Sequence, residues 1–122
     1  MGEKDIEFRN NLKERTKSFA LRIIRLFQAL PKSTENSIIG KQLLRSGTSV
    51  AANYRAACRA RSNAEFFSKI SIVIEEADET LFWIEILQES EIIKACLLKE
   101  LYMEGEEILK VLVTARKNSQ KT

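Results

Sequence analysis

Across 122 residues the chain carries one proline and four glycines. That shortage of chain-breaking residues restricts its folds more than any other feature. Little turn chemistry is available for many short strands, so a few long helices are favoured. The apolar residues agree, recurring at three- and four-residue spacing along most of the sequence.

Four helices follow from this spacing. The first spans about residues 5–30, with Phe8, Leu12, Phe19, Ile23, Leu26 and Leu30 in one stripe, and Pro31 ends it. The second spans about 35–61 after a cap at Ser33 or Thr34, with Ile38, Ile39, Leu43, Val50 and Tyr54 on its apolar face. The third spans about 62–89, opened by Ser62-x-x-Glu65, which fits a capping box. Its stripe is Phe66, Ile70, Val73, Ile74, Ala77, Leu81, Ile84 and Leu87. The fourth spans about 91–117 with Ile93, Leu97, Leu101, Ile108, Leu112 and Ala115 inward, followed by a frayed tail from Asn118. Short connections between amphipathic helices make neighbours antiparallel, so the expected fold is an all-α, up-down-up-down four-helix bundle in one domain, residues 1–122.

Charge is divided unevenly. Residues 1–61 hold 13 Lys and Arg against 5 Asp and Glu; residues 62–122 hold 7 against 12. A basic half can bind a polyanion, or pair with the acidic half of the same or another subunit. Cys58 and Cys96 form no recognisable framework and are expected to be reduced, buried thiols. The polar N-terminus has no apolar signal region, and no apolar run is long enough to span a bilayer. The expected location is cytoplasmic, with no membrane partner. The chain has no histidine, which removes Ser-His-Asp, Cys-His and zinc-protease constellations.

The most distinctive stretch is Leu43 to Arg61, which is rich in small residues, contains four arginines and has no acid. Gly47 costs about 1 kcal/mol relative to Ala in a helix interior, so close helix packing or a kink is expected there. Asn53 is expected to be a buried amide bonded to a neighbouring helix. At about 100° per residue, Lys41, Arg45, Arg55 and Arg59 fall within roughly 40° of one line. Two readings stay open for this stripe. It can contact nucleic-acid phosphates, with Tyr54 as a stacking neighbour. Alternatively, Arg45 and Arg59 pair with acids of the third helix.

Gly40 to Tyr54 (GKQLLRSGTSVAANY), Arg59 to Phe66 (RARSNAEF), Lys69 and Glu75 to Ile84 (EEADETLFWI) carry a family signature. They resemble the bacterial four-helix-bundle proteins called 23S rRNA intervening-sequence proteins. The match is close over about residues 30–90. The family name describes where some of its genes lie rather than an activity. The resemblance implies a bundle assembled as a ring-like homopentamer. It also implies a fold similar to the accessory variability determinant of diversity-generating retroelements, a basic pentamer that partners a reverse transcriptase and binds nucleic acid.

Phe82 falls on the acidic outer face of the third helix with Trp83 about a quarter turn away, and both are candidates for an oligomer interface. Glu76-x-x-Glu79 and Glu104-x-x-Glu107 resemble the magnesium-holding carboxylates of all-α nucleotide pyrophosphohydrolases. Glu75 and Glu79 point away from the core stripe, however, whereas such a site must face inward. Ser46 to Ser49 lacks the lysine and preceding strand of a phosphate loop. The expectation is a non-enzymatic oligomeric adaptor without cofactor or metal, binding RNA or DNA through Lys41, Arg45, Arg55 and Arg59. An oligomeric scaffold for a protein partner is the alternative, and a magnesium-dependent pyrophosphohydrolase a distant third.

Overall fold

The computed structural model describes residues 2–120. Among them are four helices and no strand: α1 (Glu3–Ala29), α2 (Thr34–Ala57), α3 (Asn63–Glu89) and α4 (Ala95–Ser119). Each helix packs on its neighbours in the chain, and α1 also meets α4, less extensively. The cross-links run antiparallel: Arg15 reaches Glu104, Ser46 meets Thr80, Tyr102 reaches Glu85 and Arg116 reaches Ser71. The expected up-down-up-down bundle is therefore the fold. None of the described helices is long and apolar enough to cross a membrane.

The helix starts are set by side-chain caps. Ser33 Oγ accepts from the Asn36 amide at 3.1 Å, and Ser62 Oγ from the Glu65 amide at 3.1 Å. The return arm of the second cap departs from the capping-box pattern, because Glu65 Oε2 accepts from the Arg61 amide (3.3 Å), one residue before the cap.

Two boundaries differ from the sequence expectation. The second helix stops at Ala57 rather than Arg61, so Arg59 and Arg61 lie in the connection to α3. The fourth begins at Ala95 rather than Glu91. Glu91 takes a left-handed conformation (φ 61°) that breaks the helix, and Ile92 and Ile93 pack on the core from an irregular segment. Leu98, not Leu97, joins Leu101, Ile108 and Leu112 in the core, and Leu97 is left 70% exposed. At the other end α4 continues to Ser119 instead of fraying from Asn118, and residues 121–122 lie outside the described ones.

The core is built from all four helices, with Ile23, Leu43, Val50, Ile70, Ile84, Leu87, Ile108 and Leu112 closed to solvent. Phe8 and Ile38, expected inside, are exposed: Phe8 lies at the end where α1 and α4 part, and Ile38 lies off the α2 core face. Cys58 is half-buried, and Cys96 is exposed in the first turn of α4 rather than buried. Asn53 is half-buried and makes no hydrogen bond to a neighbouring helix among the described residues. The buried amide is Asn36, whose Nδ2 donates to the Pro31 carbonyl at 2.6 Å and so closes the turn between α1 and α2.

The small residues of α2 are used for close approach, as Gly47 suggested. A Cβ on Gly47 would lie 2.9 Å from both γ carbons of Ile23, and one on Gly105 of α4 would lie 2.8 Å from Leu81. On the α3 side of α2, the buried Ser46 and Thr80 hydroxyls bond one another at 3.0 Å. Gly47→Ala tests the α1–α2 contact. The gain in helix propensity, about 1 kcal/mol, competes with overpacking against a stiff β-branched side chain, which costs about 1–3 kcal/mol. A net loss of about 1 kcal/mol is expected in urea unfolding. Combined with Ile23→Ala, the losses should sum to less than the two singles, because the clash is gone.

Candidate nucleic-acid interface

The stripe Lys41, Arg45, Arg55 and Arg59 is divided by the helix twist. Arg45 and Arg55 lie on opposite sides of the line through Lys41, about 80° apart. Arg45 leans toward α3, where Nη1 bonds Glu76 Oε2 at 3.1 Å and Nη2 bonds Glu79. Arg55 leans toward α1. There it joins Arg59, Lys13, Lys17, Asn10 and Glu14 around a surface cleft of about 350 Å³. Among the described residues, none of these four cations forms a salt bridge. Lys41 is exposed on α2 and does not line this cleft.

The ion-pair reading thus holds for Arg45 and not for Arg59, which the early end of α2 turns toward α1. Lys13 and Lys17 lie four residues apart on the first helix. Their spacing places them on one edge of α1, but only the packing shows that this edge faces α2. Tyr54 is no stacking neighbour, because it is 1% exposed and faces the core. Burial, and then the adjacent Cys58 thiol, push its hydroxyl pKa up.

The two Glu-x-x-Glu pairs do not converge. Glu76 and Glu79 face α2 and are held by Arg45. Glu104 and Glu107 face α1 and are held by Arg15, whose Nη2 lies 2.8 Å from Glu104 and 2.9 Å from Glu107. Among the described residues no cluster of three or more acids or thiols has metal-binding geometry.

Phe82 is 49% exposed on α3. Its ring meets Trp83 edge-on at 4.9 Å. Trp83 is half-buried against the core, and its Nε1 donates to Glu79 at 3.0 Å. Of the pair, Phe82 is therefore the free apolar surface, and Trp83 ties it to the Arg45 network.

The class that the structure defines is the antiparallel four-helix bundle. Comparison then places the chain within it. Residues 9–114 match the model of the 23S rRNA-intervening sequence protein family, and the chain belongs to that family. A crystal structure of a protein of unknown function from the S23 ribosomal protein family of Bacteroides thetaiotaomicron is similar throughout. It has 37% identity, covers 89% of this chain and 97% of its own, and gives a TM-score of 0.83. No curated protein matches the chain.

The arginine clamps have a pH signature. Trp83 and then Arg45 hold Glu79 below its ordinary value, and Arg15 does the same to Glu104. A depressed carboxylate stabilises the fold above its unfolded pKa, and the benefit is lost as pH falls through the folded value. The urea midpoint should therefore drop between about pH 6 and about pH 3. Arg15→Gln should cost about 0.5–1 kcal/mol at neutral pH and make that drop shallower. An equally steep drop in the variant would detach acid sensitivity from the α1–α4 clamp.

Proposed function

We propose that this protein is a non-enzymatic, homo-oligomeric binder of nucleic acid whose site is the cleft between α1 and α2. The observation that carries the reading is the gathering of Lys13, Lys17, Arg55 and Arg59 around one cleft while Arg15 and Arg45 are taken by carboxylates. These cations, three on helices and Arg59 just beyond the end of α2, can release counterions from a phosphate backbone without first breaking salt bridges. Lys41 extends the cationic surface along α2, while Arg45 serves the fold. In a ring-like homopentamer, the assembly we propose, five copies of a weak site act with high effective concentration. The absence of histidine and the arginine clamps on both Glu-x-x-Glu pairs support a role other than catalysis.

The test is binding of purified, nuclease-treated protein to labelled RNA and DNA across a salt series. Affinity should fall steeply with salt. Lys13→Glu combined with Arg55→Glu should weaken binding by at least about 100-fold, since each reversal adds repulsion to a lost phosphate contact. Arg45→Gln should affect stability more than binding. Absence of binding at low salt would refute the proposal and turn attention to a protein partner.

Self-association is assigned to the outer face of α3. Phe82 there is a large exposed aromatic among acids, and such residues commonly anchor interfaces. Phe82→Asp should give a folded protein with an unchanged helical spectrum and a smaller mass in sedimentation. A variant that keeps the parent mass would remove Phe82 from the interface.

A further inference from the structure

A second, larger cleft of about 1000 Å³ opens at the end of the bundle. It lies where the start of α1 and the last turns of α4 part, above the connection from α2 to α3. Its apolar wall includes Phe8, Phe66 and Val111, and Lys4, Arg9, Arg61 and Lys110 surround it. The acids at its edge are Asp5 and Glu107, and Glu107 is already bound to Arg15. The Arg9 guanidinium lies over the Phe66 ring at 5.8 Å, while Phe8 is 45% exposed.

The two clefts adjoin. Arg9, Lys13 and Lys17 follow at four-residue steps along one edge of α1, about 6 Å apart in rise. Across from them Arg59 lines the smaller cleft and Arg61 the larger. A cationic track therefore runs between α1 and the end of α2 and leads to a concave site with aromatic walls. A phosphate backbone needs only the track. A double helix, whose bases are stacked inside, has nothing to place in the apolar cleft. An unpaired base has an apolar face and suits stacking against aromatic and guanidinium planes.

We propose that the ligand is a single-stranded polynucleotide, with its backbone on the Lys13–Lys17–Arg55–Arg59 track and an unstacked base in the cleft lined by Phe8, Arg9 and Phe66. This rests on the nucleic-acid reading above and adds which form of nucleic acid is preferred and why. The base is held by stacking, which tolerates any sequence, and the 2′-hydroxyl is not called for, so RNA and DNA strands are both ligands.

The experiment compares equal-length single strands and duplexes of RNA and DNA, by anisotropy, with the parent protein and with Phe8→Ala. Phe8 is exposed, so its truncation leaves the core intact. The parent should prefer single strands of either sugar by about tenfold or more. Phe8→Ala should lose about tenfold in single-strand affinity, the scale of one stacked base, with duplex affinity unchanged. As a measurement on the unaltered protein, a 4-thiouridine strand should photocrosslink to peptides containing Phe8 or Phe66. Equal binding of duplex and single strand by the parent would overturn the inference, as would crosslinks confined to the α1–α2 track. Either result would leave the cationic site standing. A free mononucleotide that competes as well as a strand would overturn it in favour of a nucleotide pocket. Absence of all polynucleotide binding would overturn both proposals together.

Discussion

The bundle depends on how thin α2 is. Gly47 lets Ile23 of α1 approach to a distance at which no Cβ would fit, and Ser46 lets Thr80 of α3 come within hydrogen-bond reach. With both neighbours drawn close, Leu43, Val50, Tyr54 and Ala57 are almost fully enclosed. An α2 with larger side chains at these positions would hold α1 and α3 apart and leave voids around those core residues. The glycine costs helix propensity, and the enclosed apolar surface offsets it.

Close packing around α2 also sorts the charges. Leu43, Val50, Tyr54 and Ala57 of this helix are buried between its neighbours, and its cations project outward. A difference of about 80° on the wheel then sends Arg45 to one flank and Arg55 to the other. Arg45 meets two carboxylates at i, i+3 spacing. Arg55 meets the lysine-bearing edge of α1. The same kind of clamp appears across the bundle, where Arg15 joins Glu104 and Glu107 along the less extensive α1–α4 contact. That contact includes Phe19 packing near Gly105, and beyond it the helix ends part to form the larger cleft. The clefts and the clamps are thus consequences of one packing arrangement.

Much of this was legible in the residues. Long stripes with few breakers gave the four helices, the serines at 33 and 62 gave two helix starts, and the small-residue run marked a close helix contact. What periodicity could not supply was the pairing of faces. A wheel places Lys41, Arg45, Arg55 and Arg59 together, but it does not know that α1 and α3 lie on opposite sides of them. Lys13 and Lys17 were invisible as site residues for the same reason, since they join the cleft only through packing. The start of α4 was missed because Glu91 adopts a left-handed backbone without glycine, so no residue type announces the break. Phe8 reads as core because it continues the α1 stripe, and the stripe does not reveal where its partner helix diverges.

The internal clamps bear on how copies of the chain can meet. Two arginines from the basic half absorb four carboxylates from the acidic half, so the chain keeps a cationic surplus on α1 and α2. Glu75, Asp78 and Glu89 remain exposed on α3 around Phe82. A ring needs heterologous contacts, in which the α3 face meets a different surface of the next copy. If that surface were the α1–α2 cleft, charge complementarity would favour the contact and the cations would be spent within the ring. The proposed binding requires that α3 dock elsewhere, leaving the cleft open in every copy. Contact through the exposed apolar residues Leu21 of α1 or Met103 of α4 would satisfy both demands. It would bury apolar surface beside Phe82 and keep Lys13, Lys17, Arg55 and Arg59 in water. In the proposed ring, the position of the neighbour on α3, more than the net charge of the chain, would therefore decide whether the assembly presents a cationic surface.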